Sequence, residues 1–228
     1  PSTARFYEDL GLLTCDPQIT EDVSRLFNQL SGYAPKTTYR SLLVAPRSIR
    51  SGLIDYINKE IEHSMAGRKA KIQIKCNSMV DEAIIDSLYR ASQSGVEVNV
   101  VVRGICALRP GVPGLSENIR VRSVLGRFLE HSRVFTFENA GNPKVYIGSA
   151  DMMHRNLDRR VEALVSIKAQ RNREYLLDMF DRYMSKKTST WHLEPDGHWE
   201  RHSKDDQGNR LVDIQSYYLE SRDKRKRK

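Results

Sequence analysis

The first half of the chain switches repeatedly between helical and extended spacing of its apolar residues. One amphipathic helix, ended by Gly67, is predicted from apolar residues four positions apart: Ile49, Leu53, Ile57 and Ile61. A second helix is predicted over 81–94. Runs of alternating or β-branched residues predict three strands, at 39–46, 70–76 and 96–102. The resulting β-α-β-α-β succession is typical of a sheet covered by helices.

The pattern changes on both sides of this unit. After Gly104, short apolar runs predict strands in close succession, at 119–125, 133–139, 144–149 and 160–167, and a helix follows over 171–186. Before it, residues 4–14 predict a strand and a turn, and a helix over 19–33 is predicted to have Thr20 as its N-cap.

These patterns divide the chain into three parts. Residues 1–35 form a first segment, separated by a predicted linker at 34–38 from a main α/β unit over 39–200. Residues 201–228 are polar and basic, with little apolar patterning, and are predicted to be a disordered tail.

Composition fits an ordinary globular protein of one large or two small domains. Apolar residues make up 39% and charged residues 29% of the 228 positions. No apolar run approaches the roughly 18 residues of a membrane span, and residues 1–5 lack the basic and apolar pattern of a signal peptide. Three scattered cysteines favour a reduced, cytoplasmic location. Because the chain begins Pro-Ser-Thr, without Met, we expect it to be part of a longer protein.

Much of the positive charge lies at the C-terminus. Of the net +8, the segment Arg222–Lys228 carries +5. A like-charge run of this kind is usually a solvated extension. Since no base-stacking motif accompanies it, we expect no nucleic-acid partner.

Candidate chemistry concentrates between 103 and 133. This stretch has no lysine, two acids and six arginines, at positions 103, 109, 120, 122, 127 and 133. Arginine suits bidentate binding of phosphate or carboxylate. Alternating arginines such as Arg120 and Arg122 are also typical of the solvent-exposed face of a strand. Arg103 is the stronger candidate, because it follows an apolar strand, where side chains at strand ends face the ligand crevice.

His131 lies at the start of a predicted strand and has three interpretations: a core residue, a metal ligand or an acid/base. The metal interpretation is weak, because no His, Cys or carboxylate cluster lies at metal-ligand spacing around it. The motif His131-x-Arg133, with Glu138 and then Gly148-Ser-Ala-Asp151, resembles the phospholipase D pattern His-x-Lys-x4-Asp followed by Gly-Ser-x-Asn. Arginine, glutamate and aspartate replace the pattern's lysine, aspartate and asparagine. The acid/base interpretation survives these changes.

Longer stretches carry a more specific resemblance, from residue 1 to about residue 185. The segments TARFYEDLGLLTCDP, VEVNVVVRGICALRPGVPG, GRFLEHSRVFTFENAG and VYIGSADMMHRNLDRRVEALVSI resemble the C-terminal part of bacterial polyphosphate kinase. That family implies a multidomain cytoplasmic enzyme, oligomeric and often peripheral to the membrane. It transfers the terminal phosphate of ATP reversibly to polyphosphate with Mg²⁺, through a phosphohistidine that would lie upstream of Pro1.

The resemblance also implies a fold and a site. The fold would be a phospholipase-D-like half, an α/β unit whose mixed, mostly parallel sheet has helices on both faces, and residues 1–35 would be the remnant of the preceding domain. Tyr7, Arg103 and His131 would contact ATP or ADP, His131 would assist catalysis, and Arg133 and Arg155 are candidates to face phosphate. No metal ligand is implied in this chain. The expected partners are ATP, polyphosphate, the upstream domains and further copies of the enzyme.

Two other functions remain open on the residues alone. The chain could be a nucleotide- or polyanion-binding module without activity of its own. It could also be a phospholipase-D-like phosphohydrolase half, although it lacks the lysine and asparagine of that pattern. For Asp151, Arg155, Asn156, Asp158 and Arg159 we favour a structural role over a phosphate-facing one, because Asp–Arg pairs near a turn commonly order a loop.

Overall fold

A computed structural model describes residues 5–33 and 38–226, with side chains through 221. The predicted linker at 34–38 and the charged run Arg222–Lys228 therefore lie almost entirely outside the described side chains. The helices are α1 (Pro17–Leu30), α2 (Ile49–Met65), α3 (Glu82–Gln93), α4 (Gln170–Tyr183) and α5 (Ile214–Lys226). The strands are β1 (Tyr7–Glu8), β2 (Leu42–Val44), β3 (Lys71–Cys76), β4 (Glu97–Val102), β5 (Ile119–Ser123), β6 (Leu129–Glu130), β7 (Arg133–Phe137), β8 (Lys144–Gly148), β9 (Ala163–Ser166), β10 (Thr190–Leu193) and β11 (Trp199–His202).

One large mixed sheet organises the chain, in the strand order β11-β10-β5-β4-β3-β7-β8-β9-β2, and β1 pairs in parallel with β6 beside it. The mixed α/β class is confirmed, but the expectation of a mostly parallel sheet is wrong. Only β3–β4 and β4–β5 pair in parallel within the described sheet. Both pairs have long crossover connections, namely α3 between β3 and β4 and the loop 103–118 between β4 and β5. In contrast, short connections join β7, β8 and β9, and these strands pair antiparallel.

Helices cover both faces of the sheet, as expected. Because side chains alternate along a strand, neighbouring residues enter different cores: Val100 joins one and Val101 the other. The first core contains residues of α2 and α3, such as Leu53 and Leu88. The second contains residues of α4 and α5, such as Phe180. No helix in the described part of the chain is long and apolar enough to cross a membrane.

The expected disorder from residue 201 onwards is wrong as far as the described side chains extend. Strand β11 pairs antiparallel with β10, and α5 begins at the buried Ile214. The next residue, Gln215, is also buried, and its amide bonds to both backbone groups of Phe128 and to Glu130 Oε1 at 2.7 Å. The buried side chain of Ile214 and the hydrogen-bonded amide of Gln215 thus hold the start of α5 in place, although the apolar pattern of the sequence did not predict this helix.

The segment before residue 34 packs on the main unit through polar contacts. Asp16, rather than the predicted Thr20, caps α1 by accepting hydrogen bonds from the backbone of Gln18 and Ile19. Lys168 donates to the same carboxylate at 3.1 Å and lowers the pKa of Asp16. Together these contacts fix the start of α1 against the loop that follows β9.

A buried carboxylate attaches the other side of α1 to β2. Asp22 is 1% exposed, and its Oδ2 accepts hydrogen bonds from the backbone nitrogens of Arg40, Ser41 and Leu42 at 2.6–3.1 Å. Backbone groups at this depth need a partner, and this one carboxylate serves three of them.

Replacing Asp22 with alanine is therefore expected to lower the free energy of unfolding by about 2 kcal/mol, since buried donors would lose their acceptor. Urea denaturation of the chain measures the change. The neighbouring Glu21→Ala, which removes exposed ion pairs only, is the control and is expected to stay within about 0.5 kcal/mol of wild type. Equal losses for the two variants would contradict the role of Asp22.

Candidate functional site

The ends of four strands meet at one edge of the sheet. Strands β3 and β4 are parallel, so Asn77 and Arg103, which follow them, lie at the same edge. Strand β7 runs antiparallel to β3 and begins there with Arg133, which pairs with Gly148 at the end of β8. Asp151 follows β8 shortly afterwards. The topology thus gathers two of the predicted cations at one place.

Hydrogen bonds join these residues into a continuous network. Arg103 Nε donates to Asn77 Oδ1 at 3.0 Å, and the backbone nitrogen of Asn77 donates to Asp151 Oδ1 at 2.7 Å. The Asp151 carboxylate also accepts two bonds from Arg133, at 3.1 and 3.3 Å. Arg133 Nη1 in turn donates to the backbone oxygen of His131 at 2.7 Å. We call this chain of contacts the Arg103–His131 network.

The N-terminal segment covers the other side of His131. Parallel pairing of β1 with β6 brings Tyr7 beside Leu129, and the His131 backbone nitrogen donates to the Glu8 oxygen at 3.0 Å. The Tyr7 and His131 rings meet edge to face, with centroids 4.9 Å apart. His131 Nδ1 lies 2.8 Å from Asp9 Oδ2. A histidine with 31% of its side chain exposed and polar neighbours is not a core residue.

The contact with Asp9 orients the His131 ring. A carboxylate can only accept, so Nδ1 carries the proton that bonds to Asp9. Arg133 Nη1 lies 3.1 Å from Nδ1 and 3.0 Å from Nε2, about equally close to both ring nitrogens. The ring is held by a carboxylate on one side and a guanidinium on the other. Nε2 is the nitrogen left to exchange a proton with a bound group.

A cleft runs between the N-terminal segment and this edge of the sheet. Its volume is about 520 Å³, and its wall includes Asp9, Leu10, His131, Arg133 and Ser149. His131 and Arg133 therefore face a space that can hold a ligand.

Positions 148 and 104 require glycine because a neighbouring stretch of backbone lies too close for a side chain. A Cβ at Gly148 would lie 2.0 Å from the Ala163 oxygen, and one at Gly104 would lie 2.8 Å from the Asn77 oxygen. The absence of a side chain at Gly148 therefore allows β8 to approach β9.

Arg155, the remaining candidate, lies apart from the network. It is exposed at the start of the π-helical turn Arg155–Arg159, and no described contact joins it to His131 or Arg103. In the same turn Asp158 pairs with Arg50 and His154, which hold the pKa of Asp158 well below its ordinary value. A role of Arg155 towards phosphate stays a prediction.

The sequence did not predict Asn77 and Asp9 as members of the site. Asn77 follows an apolar strand, as Arg103 does, so strand-end position alone could have indicated it. Asp9 could not be found this way, because its contact with His131 spans 122 positions and depends on the pairing of β1 with β6.

Family models account for most of the chain. The model for polyphosphate kinase C-terminal domain 2 matches residues 42–213, and that for C-terminal domain 1 matches residues 1–36. The chain belongs to the polyphosphate kinase family. The resemblance inferred from the sequence motifs is confirmed.

Individual polyphosphate kinases agree with this assignment. The enzyme from Streptomyces coelicolor is 62% identical over 226 residues, which cover 99% of this chain and 30% of that protein. The one from Mycolicibacterium gilvum is 56% identical over 199 residues, 87% of this chain and 27% of its own length. The crystal structure of polyphosphate kinase from Porphyromonas gingivalis superimposes with a TM-score of 0.86 at 31% identity, covering 94% of this chain and 33% of that one. The chain thus spans about a third or less of these relatives.

Proposed function

We propose that the chain forms part of the ATP and polyphosphate site of a polyphosphate kinase. The complete enzyme would transfer the terminal phosphate of ATP reversibly to polyphosphate through a phosphohistidine located upstream of this stretch, and this chain would form one wall of the tunnel. The observation that carries the proposal is the Arg103–His131 network, which lies beside an open cleft in a chain of this family. By itself the chain would bind nucleotide or polyanion without transferring phosphate.

Arg103 has the arrangement of a phosphate-binding arginine. Its Nε bonds to Asn77, whereas neither Nη nitrogen has a hydrogen-bond partner among the described residues. The fork that suits phosphate oxygens is therefore open. Arg133 differs, because Asp151 already neutralises it in a bidentate pair. Arg103 would bind phosphate directly, and Arg133 would mainly hold His131.

His131 and Tyr7 would act on the transferring group and the nucleotide, respectively. With Asp9 fixing Nδ1, His131 would present Nε2 to a phosphate oxygen and donate a hydrogen bond or a proton as charge develops. Tyr7 would contact the nucleotide next to it, since its ring already packs on the imidazole and is about half exposed.

Among the described residues, the carboxylates near the Arg103–His131 network are not available to bind a magnesium ion. Mg²⁺ prefers carboxylate and phosphate oxygens. Both oxygens of Asp9 accept hydrogen bonds, from Leu10 and His131, and those of Asp151 bond to Arg133 and Asn77. Magnesium would instead arrive with the ATP phosphates. Oligomerisation and peripheral membrane association stay predictions.

Replacing Arg103 with alanine is expected to weaken the binding of ATP and of polyphosphate about tenfold or more, because a charged hydrogen-bond donor to phosphate is lost. Calorimetric titration with magnesium measures both affinities, for this chain and for the complete enzyme. A second salt concentration separates specific contacts from screened attraction.

Arg120→Ala is the matched control. Arg120 is 68% exposed on β5 and contacts Glu97, so its loss is expected to leave both affinities within about twofold. If only the complete enzyme binds, the site needs the upstream domains. Unchanged affinity of Arg103→Ala in the complete enzyme would contradict the role of Arg103.

A further inference from the structure

The edge hairpin β10–β11 brings together three potential metal ligands, His192, Glu194 and His202. The register pairs Thr190 with His202 and His192 with Glu200, so the two histidines are diagonal neighbours on one face. Their rings stack with centroids 3.9 Å apart and planes 11° apart. One ligand atom from each of the three residues lies within 4.8 Å of the others.

We propose that His192, Glu194 and His202 bind a divalent transition-metal ion of the zinc class. Two imidazole nitrogens and one carboxylate oxygen form a ligand set that zinc sites in proteins use, with a further position left for water or another ligand. This site lies outside the Arg103–His131 network, and the inference does not depend on the proposed function.

The surroundings of both rings suit metal binding. His202 Nε2 is buried without a hydrogen bond, and it lies 3.4 Å from Glu200 Oε2. His192 Nε2 lies 3.0 Å from Thr190 Oγ1, a contact of the kind that orients ligating imidazoles.

The local charges balance a bound cation. Arg122 lies opposite His192 in the strand register, and its positive charge would repel a bound cation. Its Nη1, however, is engaged with the backbone oxygens of Tyr183 and Ser185, to which it donates hydrogen bonds. Glu194 and Glu200 supply two negative charges next to the rings. These two carboxylates therefore offset the positive charge of Arg122 and favour a bound divalent cation.

Zinc binding to the 228-residue chain tests the proposal directly. Competition with a chromogenic zinc chelator gives the affinity and stoichiometry, and thermal unfolding monitored by circular dichroism gives the shift in Tm. We expect one site, a Tm that rises with zinc, and at least about tenfold weaker binding after His202→Gln or Glu194→Gln.

His198→Gln is the matched control, because His198 lies in the same hairpin but is exposed and bonds to Asp196 at 2.6 Å. It should retain the wild-type affinity, and the three variants should unfold alike without metal. Absence of zinc binding by the wild type would overturn the proposal. So would an equal loss of affinity in His198→Gln, or wild-type affinity in both ligand variants.

Discussion

Replacing His131 with alanine in the complete enzyme is expected to lower the rate of ATP-dependent polyphosphate synthesis by about 10²–10⁴-fold. A positioned proton donor contributes a factor of this size. The imidazole is held for such a role, with Nδ1 bonded to Asp9 at 2.8 Å and Nε2 next to Arg133 at 3.0 Å. Because 31% of the side chain is exposed, its removal should not unfold the protein. Initial rates of polymer formation measure the effect.

His154→Ala is the appropriate control. His154 also pairs with carboxylates, Glu82 at 2.6 Å and Asp158 at 3.0 Å, but it lies outside the Arg103–His131 network. Its loss is expected to change the rate only a few-fold. Comparing kcat with KM distinguishes the two possible roles of His131: a proton donor affects kcat, whereas a residue that only binds ATP affects KM. A rate near wild type for His131→Ala would refute the catalytic role.

Strand-end positions made the core of this site predictable. Arg103 stood out because it follows an apolar strand, and His131 because it precedes one in a motif with Arg133. Their meeting could not be read from the sequence, because it depends on β7 pairing antiparallel to β3. The same information was needed for the sheet itself. Apolar runs located most strands, but their directions depend on which connections are long crossovers and which are short turns.

Polar residues buried inside regular elements were harder to predict. In β3 the alternation K-I-Q-I-K-C predicts an apolar and a polar face, yet Lys75 and Gln73 are both buried. Residues of α4 and α5 cover that face, and their approach leaves no simple sequence pattern. Likewise, Gln215 is an ordinary polar residue in the sequence but a buried contact of Glu130 in the structure.

Lys75 carries the largest expected effect on stability. Its side chain is 2% exposed, and Nζ lies 2.9 Å from Glu8 Oε2, 3.0 Å from Glu130 Oε2 and 2.7 Å from Ser132 Oγ. Glu130, itself 4% exposed, also accepts a bond from the Tyr183 hydroxyl at 2.6 Å. Replacing Lys75 with methionine would leave two carboxylates close together without their cation. We expect the free energy of unfolding at pH 7 to fall by about 3–5 kcal/mol.

Lys71→Met is the control from the same strand. Lys71 is 31% exposed, and its Nζ lies 3.6 Å from a Glu97 oxygen and 4.0 Å from an Asp181 oxygen. Its replacement should therefore lower the free energy of unfolding by less than about 1 kcal/mol. Urea denaturation of the two variants and wild type gives the comparison. A Lys75→Met variant as stable as Lys71→Met would show that the buried pair contributes nothing.

The acid limb of the stability curve tests the same cluster independently. Burial alone would raise the pKa of Glu8, but attraction and hydrogen bonding by Lys75, together with Ser132, bring it below its ordinary value. A carboxyl group with a lowered pKa contributes stability at a pH above its unfolded-state pKa, near 4.5. This contribution is lost as the pH falls through the pKa of the folded state. In Lys75→Met the carboxylates would instead favour protonation, so acid would relieve the defect. The stability difference between wild type and Lys75→Met should therefore shrink between pH 7 and pH 4, and a constant difference would exclude Glu8 as the partner responsible.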